Sequence, residues 1–240
     1  MSGTVNAQRA LFGRRKGRPL RPHQAALLET LLPRLALDLA LPAPCALADL
    51  FPHAPQTVRL EIGFGGGEHL IAEARQYPLV GFIGVEPFIN GMAKALAAVD
   101  AHGLTNVRLY LGDAAKVLEW LPAGKLARID LLYPDPWPKR RHWKRRFIQD
   151  LNVKQMTRVL DVNGELRFAS DSPDYVAWTL EHLIRVPGLA WTAEHADDWR
   201  RPWAGYCGTR YEAKATREGR APCYLAFRKT TQSAAIPSEA

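Results

Sequence analysis

The chain has 240 residues, 47% hydrophobic and 23% charged, an ordinary globular composition that can bury a core without disulfide or metal staples. Its 32 Lys and Arg exceed its 24 Asp and Glu, for a formal charge of +8. Cys45, Cys207 and Cys223 form no CxxC pair, and no apolar run reaches the length of about 18 that a membrane span needs, which speaks against a zinc site, a disulfide framework and a spanning helix.

The opening residues lack the apolar core of a secretory signal. The expectation is a cytoplasmic protein with neither membrane nor metal among its partners. The positive charge is unevenly placed. Residues 1–24 and 136–149 each hold six basic residues and no acid, residues 200–229 carry a net +6, and the remainder is net acidic by ten. An acidic body with three basic stripes suits a surface that steers a polyanion to one place.

Residues 1–21, rich in Gly and Arg, read as a flexible basic arm. Pro22 opens a helix with Ala25, Leu28, Leu31 and Leu32 on one face, which Pro33 interrupts. Residues 42–57, rich in Pro and Ala, read as a linker or loop. Apolar strand-like runs then follow at 58–62, 80–85, 107–111, 129–133 and 165–169. Helix-length segments at 67–76, 88–102 and 145–160 separate them, and a further helix is predicted near 173–185. Such alternation predicts a doubly wound, mostly parallel α/β sheet with helices on both faces. Runs near 189–193 and 223–228 lack a crossover helix and read as an antiparallel pair at the sheet edge.

The first of these strands ends in Glu61-Ile62-Gly63-Phe64-Gly65-Gly66-Gly67-Glu68. Gly63, Gly65 and Gly67 allow a tight turn and close backbone approach to a ligand, and the helix that follows offers free N–H groups. A dinucleotide fingerprint needs glycine where Glu68 stands. An acid, Glu61, ahead of a G-x-G-x-G loop points instead to S-adenosyl-L-methionine. The second strand ends at Glu86, placed to accept from ribose hydroxyls. The third runs into Gly112-Asp113-Ala114, where a carboxylate can accept from an adenine amino group.

The fourth strand leads into Pro134-Asp135-Pro136-Trp137-Pro138, a loop stiffened by three prolines that must lie at the same sheet edge. Lys139-Arg140-Arg141-His142-Trp143-Lys144-Arg145-Arg146 follows at once, reading as phosphate contacts with a stacking surface.

With LEIGFGGGEHL at 60–70, GVEPF at 84–88, GDA at 112–114 and YPDPWPKRRHWKRRF at 133–147, the sequence resembles the bacterial tRNA (guanine(46)-N(7))-methyltransferase family. GELRFASD at 164–171 and Gly208–Glu212 extend the likeness. The resemblance implies a Rossmann-like, seven-stranded class I methyltransferase fold with an antiparallel edge strand. It divides the chain into an arm, helix and linker at 1–57, a methyltransferase domain at 58–230 and a flexible tail at 231–240. It also implies that Glu61, Glu86, Asp113 and Asp135 contact the cofactor beside the glycines and Ala114, with Asp135 at the catalytic centre. Lys139, Asp171, Thr209, Arg210, Tyr211 and Glu212 would bind substrate, and Arg141, His142, Lys144, Arg145 and Arg146 would touch tRNA. Arg210-Tyr211 stands where the family often has Lys-Phe, which changes a point-charge contact into a forked one.

An amino-methyltransferase is disfavoured because its loop usually reads Asp/Asn-Pro-Pro-aromatic, whereas Trp137 follows Asp135-Pro136 directly. A catalytically silent RNA-binding protein is disfavoured by the acids at 61, 86, 113 and 135, and a nicotinamide oxidoreductase by Glu68. Monomer and homodimer are left open.

Overall fold

The computed structural model describes residues 15–231; the first part of the basic arm and nearly all of the tail lie outside the described residues. Seven apolar runs form strands β1 (Thr57–Ile62), β2 (Val80–Val85), β3 (Val107–Tyr110), β4 (Leu126–Leu132), β5 (Leu160–Ser170), β6 (Leu189–Trp191) and β7 (Cys223–Lys229). They make one sheet in the order β3-β2-β1-β4-β5-β7-β6. All pairings from β3 to β5 are parallel. The antiparallel pair does sit at the edge, with β7 inserted between β5 and the outermost strand β6.

The two faces of the sheet differ. Leu60, Ile83, Ile129, Phe168 and Phe227 point to one side, where they form a fully apolar core with helices α5 (Ala114–Trp120), α6 (Asp150–Val159) and α7 (Pro173–Ile184). On the opposite face Phe82, Val107 and Leu109 pack under α3 (Glu68–Gln76) and α4 (Ile89–His102). Toward β5 that same face turns ionic. Arg59, Arg128, Glu165 and Arg228 are register partners across four strands, and Glu61, Asp130 and Arg167 form the next row. Parallel strands covered on both sides ordinarily carry apolar residues on both. Here several of the charges pair with one another: Glu73 of α3 accepts from Arg59 at 2.8 Å and also from Arg128, whose Nε donates to Asp130 at 2.8 Å.

The N-terminal helix forms as α1 (Pro22–Thr30) and continues past Pro33 as the single turn α2 (Leu32–Leu35), because proline is tolerated in a helix's first turn. Leu27 buries against α4 and Leu35 beside β3, and the N–H of Leu37 donates to the carbonyl of Leu109 at 2.9 Å, so this segment covers the β3 edge. The predicted linker carries a 3-10 turn at Leu47–Leu50, with Leu47 and Phe51 in the core. Residues 15–18 of the arm differ from the flexible expectation. They are seated on the start of α4, where Asn90 accepts from the N–H of Gly17 at 2.6 Å and donates to the carbonyl of Arg18 at 2.7 Å.

Two boundaries move by five residues. Residues 145–149 are not α-helical: a 3-10 turn covers Arg140–Arg145 and α6 starts only at Asp150. β5 begins at Leu160, ahead of the expected 165, where exposed Asp161, Val162 and Asn163 give no apolar run to read.

Candidate active site

A cleft of about 910 Å³ opens where the carboxyl ends of β1, β2, β4 and β5 meet the loops that follow them, the position where open α/β sheets bind ligands. Gly63, Gly65 and Gly67 have φ of +72°, +59° and +82°, values that glycine alone adopts freely. A Cβ on Gly63 would meet nothing within 4 Å, since that position looks into the cleft. One on Gly67 would lie 2.9 Å from the Cβ of Ala95. Gly63 and Gly65 therefore line the cleft, while Gly67 sets how closely α3 packs on α4.

Glu86 ends β2 with both carboxylate oxygens in use, accepting from the N–H of Gly65 at 2.6 Å and that of Phe88 at 2.9 Å. Burial pushes its carboxyl above the ordinary glutamate value, against the pull of those donors. Asp113 caps α5 by accepting from the N–H of Ala115 at 2.9 Å. Ile62, Val85, Ala114 and Leu131 supply apolar wall between these acids. Apolar faces with a few placed acceptors suit a nucleoside with hydroxyl and amino donors, so the residues present fit the expected cofactor.

After β4 the chain turns through Tyr133 and Trp137 at φ of +51° and +45°. Such left-handed residues cost roughly 1–3 kcal/mol each unless the surroundings hold them. Between them Asp135 opens onto the cleft, whose walls desolvate its carboxyl and raise it above the ordinary aspartate value. The Trp137 ring meets His142 edge-on at 5.8 Å and lies under the Arg145 guanidinium at 4.9 Å. Lys144 and Arg145 reach the cleft wall, whereas Lys139 and Arg141 stand exposed outside it. His142 is held below the ordinary histidine value by partial desolvation and by Arg145, Arg141, Lys139 and Lys144 around it. Arg146 borders the same cleft but differs from its basic neighbours in burial. It is 2% exposed, with its guanidinium turned inward among aromatic rings.

The far wall comes from α9 (Arg210–Arg217), which follows the single turn α8 (Asp197–Arg200). Thr209 caps this helix by accepting from the N–H of Glu212 at 3.1 Å. The first two helical residues, Arg210 and Tyr211, then rest on the glycine loop and line the cleft. Arg210 donates to the Tyr211 hydroxyl at 2.9 Å. Glu212 points away from them and accepts from the Tyr224 hydroxyl at 2.5 Å. Asp171 does line the cleft, paired with Arg220 at 2.5 Å.

The family model described as "Putative methyltransferase" matches residues 55–225. A tRNA (guanine-N(7)-)-methyltransferase of Rhodopseudomonas palustris (strain BisB5) is 61% identical over 229 residues, covering 95% of this chain and 90% of that protein. One of Bradyrhizobium diazoefficiens is 58% identical over 225 residues, covering 94% and 95%. The chain belongs to this methyltransferase family. Among solved structures, TrmN from Thermus thermophilus aligns with a TM-score of 0.51 at 17% identity, over 86% of this chain and 48% of that one. That likeness is one of fold.

Within this methyltransferase, Glu61 lies beneath the glycine loop instead of in the cleft. Side chains alternate along β1, so Glu61 faces α3, where His69 Nδ1 is 2.8 Å from its carboxylate. Burial by itself would lower the His69 imidazole, but Glu61 overcomes this and raises it. Gly91, Phe88, Lys214 and Arg220 line the site or shape it without having been singled out from sequence. Gly91 had a legible signal, since glycine inside a helix usually marks close packing; the other three had none. Among the described residues no helix is long and apolar enough to cross a membrane. Also among them, no group of three His, Cys, Asp or Glu could hold a metal.

Proposed function

We propose that this methyltransferase acts in the cytoplasm, moving a methyl group from S-adenosyl-L-methionine to N7 of guanine 46 in tRNA. The carrying observation is the position of Asp135. It shares one cleft with the nucleoside acceptors Glu86 and Asp113 and with the cations Lys144, Arg145 and Arg210. The identity to tRNA (guanine-N(7)-)-methyltransferases supports the same reading.

Bound S-adenosylmethionine supplies an electrophilic methyl group on a sulfonium. Glu86 and Asp113 orient the nucleoside, and the glycine loop leaves room for it. Guanine N7 is an unprotonated lone pair near neutral pH, so no residue need first remove a proton. The purine gains positive charge as the methyl arrives, and Asp135 stabilises that charge from a loop already fixed in place. N7 lies on the major-groove edge, so the base must be exposed, and shape and phosphates share in recognition.

The described basic stripes meet at one mouth. Arg18 of the arm and Arg210 of the third stripe border the same side pocket, and Arg210 also lines the cleft with Lys144 and Arg145 of the second.

The test is incubation of the full chain with bulk tRNA and labelled cofactor, followed by nucleoside analysis and mapping. N7-methylguanosine at position 46 is expected. Label on an exocyclic amine, or none, would overturn the assignment.

A further inference from the structure

Arg146 ends the densest basic run in the chain, yet its side chain is turned into the protein. It is 2% exposed. Its guanidinium carbon lies 4.7 Å from the ring centre of Trp143, 4.9 Å from Tyr175 and 5.3 Å from Trp178. Burial lowers its pKa from the usual arginine value, with Tyr175 and Asp174 pulling the other way, but a guanidinium stays charged in proteins. Burying such a charge is costly unless it makes strong contacts. Three aromatic faces supply part of that compensation. Hydrogen bonds add to it: Nε donates to the Pro136 carbonyl at 2.9 Å and Nη1 to the Asp174 carbonyl at 3.4 Å, while the buried Nη2 has no hydrogen-bond partner among the described residues.

Those two carbonyls belong to different elements beside the site, the loop after β4 and the start of α7. Pro136 follows Asp135 inside the loop bracketed by the left-handed Tyr133 and Trp137. Asp174 lies in the first turn of α7, directly after Asp171, Ser172 and Pro173 of the cleft wall. The loop's upstream end is tied to β5, through the N–H of Tyr133 and the carbonyl of Ala169 at 2.8 Å. Beyond Asp135 the Pro136 carbonyl is held by Arg146.

We propose that Arg146 is a positioning residue, a strut that fixes the aspartate loop against α7 and holds Asp135 in reacting geometry, and that it makes no RNA contact. This deepens the proposed N7 methyl transfer and rests on that reading. A planar fork is required, because one group must stack between rings while donating in two directions. A lysine ammonium keeps the charge but has neither the plane nor the reach of the fork.

The test compares Arg146→Lys and Arg146→Met with the wild-type full chain, each confirmed as folded by thermal melting. The strut predicts that both variants lose about tenfold or more in kcat. S-adenosylmethionine affinity should stay within about threefold, and the salt slope of tRNA binding should not move. The acid limb of the kcat profile should shift in both, since the surroundings of Asp135 change. Full activity in Arg146→Lys, or a salt slope about one unit shallower in Arg146→Met, would overturn the strut in favour of a phosphate contact. A variant with lower activity but an unmoved pH profile would reduce the residue to fold stability and also overturn it. If either variant will not fold, Trp143→Leu and Trp178→Leu open the same cage, and unchanged kcat in both refutes the strut. The nucleoside made by the wild type tests the reaction itself separately.

Discussion

Gly91 in the first turn of α4 packs directly on the glycine loop: a Cβ there would stand 2.1 Å from the carbonyl oxygen of Gly65. That oxygen is backbone and cannot swing aside. Since the N–H of Gly65 is held by Glu86, displacing the loop also disturbs the nucleoside acceptor. Overpacking of this kind typically costs about 1–3 kcal/mol. Gly91→Ala should therefore weaken S-adenosylmethionine binding by at least about tenfold. Calorimetry with the cofactor checks this, and unchanged affinity would show that the loop has slack.

Asp135→Asn keeps the shape of the loop and removes its charge. It should lower kcat by more than about tenfold, or roughly 1.4 kcal/mol, with cofactor affinity within about threefold. Its carboxyl is raised by partial desolvation from the cleft walls, so the acid limb of wild-type activity should lie above the ordinary aspartate range, and the aspartate-dependent limb should vanish in the variant. A pH–rate profile identical in both proteins would rule out the electrostatic role.

The buried His69–Glu61 pair gives a stability prediction at higher pH. A histidine raised in the folded state contributes stability that is complete below its unfolded value, near 6.5, and is lost as pH rises through the folded value. Chemical denaturation should show greater stability at about pH 6 than at about pH 9, and His69→Gln should flatten that difference. An equally steep dependence in the variant would assign it to other groups.

Combined replacement of Lys139, Arg141 and Lys144 by alanine should weaken tRNA binding and make its salt dependence shallower, by up to about two to three units of log–log slope. Lys139 and Arg141 stand outside the cleft, and Glu86 and Asp113 are held by backbone N–H groups, so cofactor affinity should stay within about threefold. Filter binding across salt concentrations and calorimetry decide it. An equal loss of both affinities would mean that the two ligand ends are not separable.

The parallel half of the sheet is legible because runs such as Val80–Val85 and Val58–Ile62 lie between glycine and proline turns and need only local pattern. The acids at strand ends are legible too, through their spacing from Gly67. Which face a strand residue takes is harder to read. Glu61 and Ile62 are neighbours in the glycine motif, yet Ile62 lines the cleft and Glu61 meets His69. Arg146 is indistinguishable in sequence from Arg145, since its burial depends on Tyr175 and Trp178 of α7. The helix α9 is short and polar, and its available signal was the Thr209-x-x-Glu212 spacing of a capped helix start.

The insertion of β7 between β5 and β6 has a consequence for biosynthesis. Among the described strands this one leaves the ribosome last, and until residues 223–229 emerge, β5 has one open edge and β6 has no partner. The strands β1 to β4, with the glycine loop, Glu86 and Asp113, are complete long before that. An open edge on a growing chain is a site for wrong pairing. The pocket for the methyl donor is thus built first, and the wall carrying Arg210 and Tyr211 is locked only when the final strand slides into place.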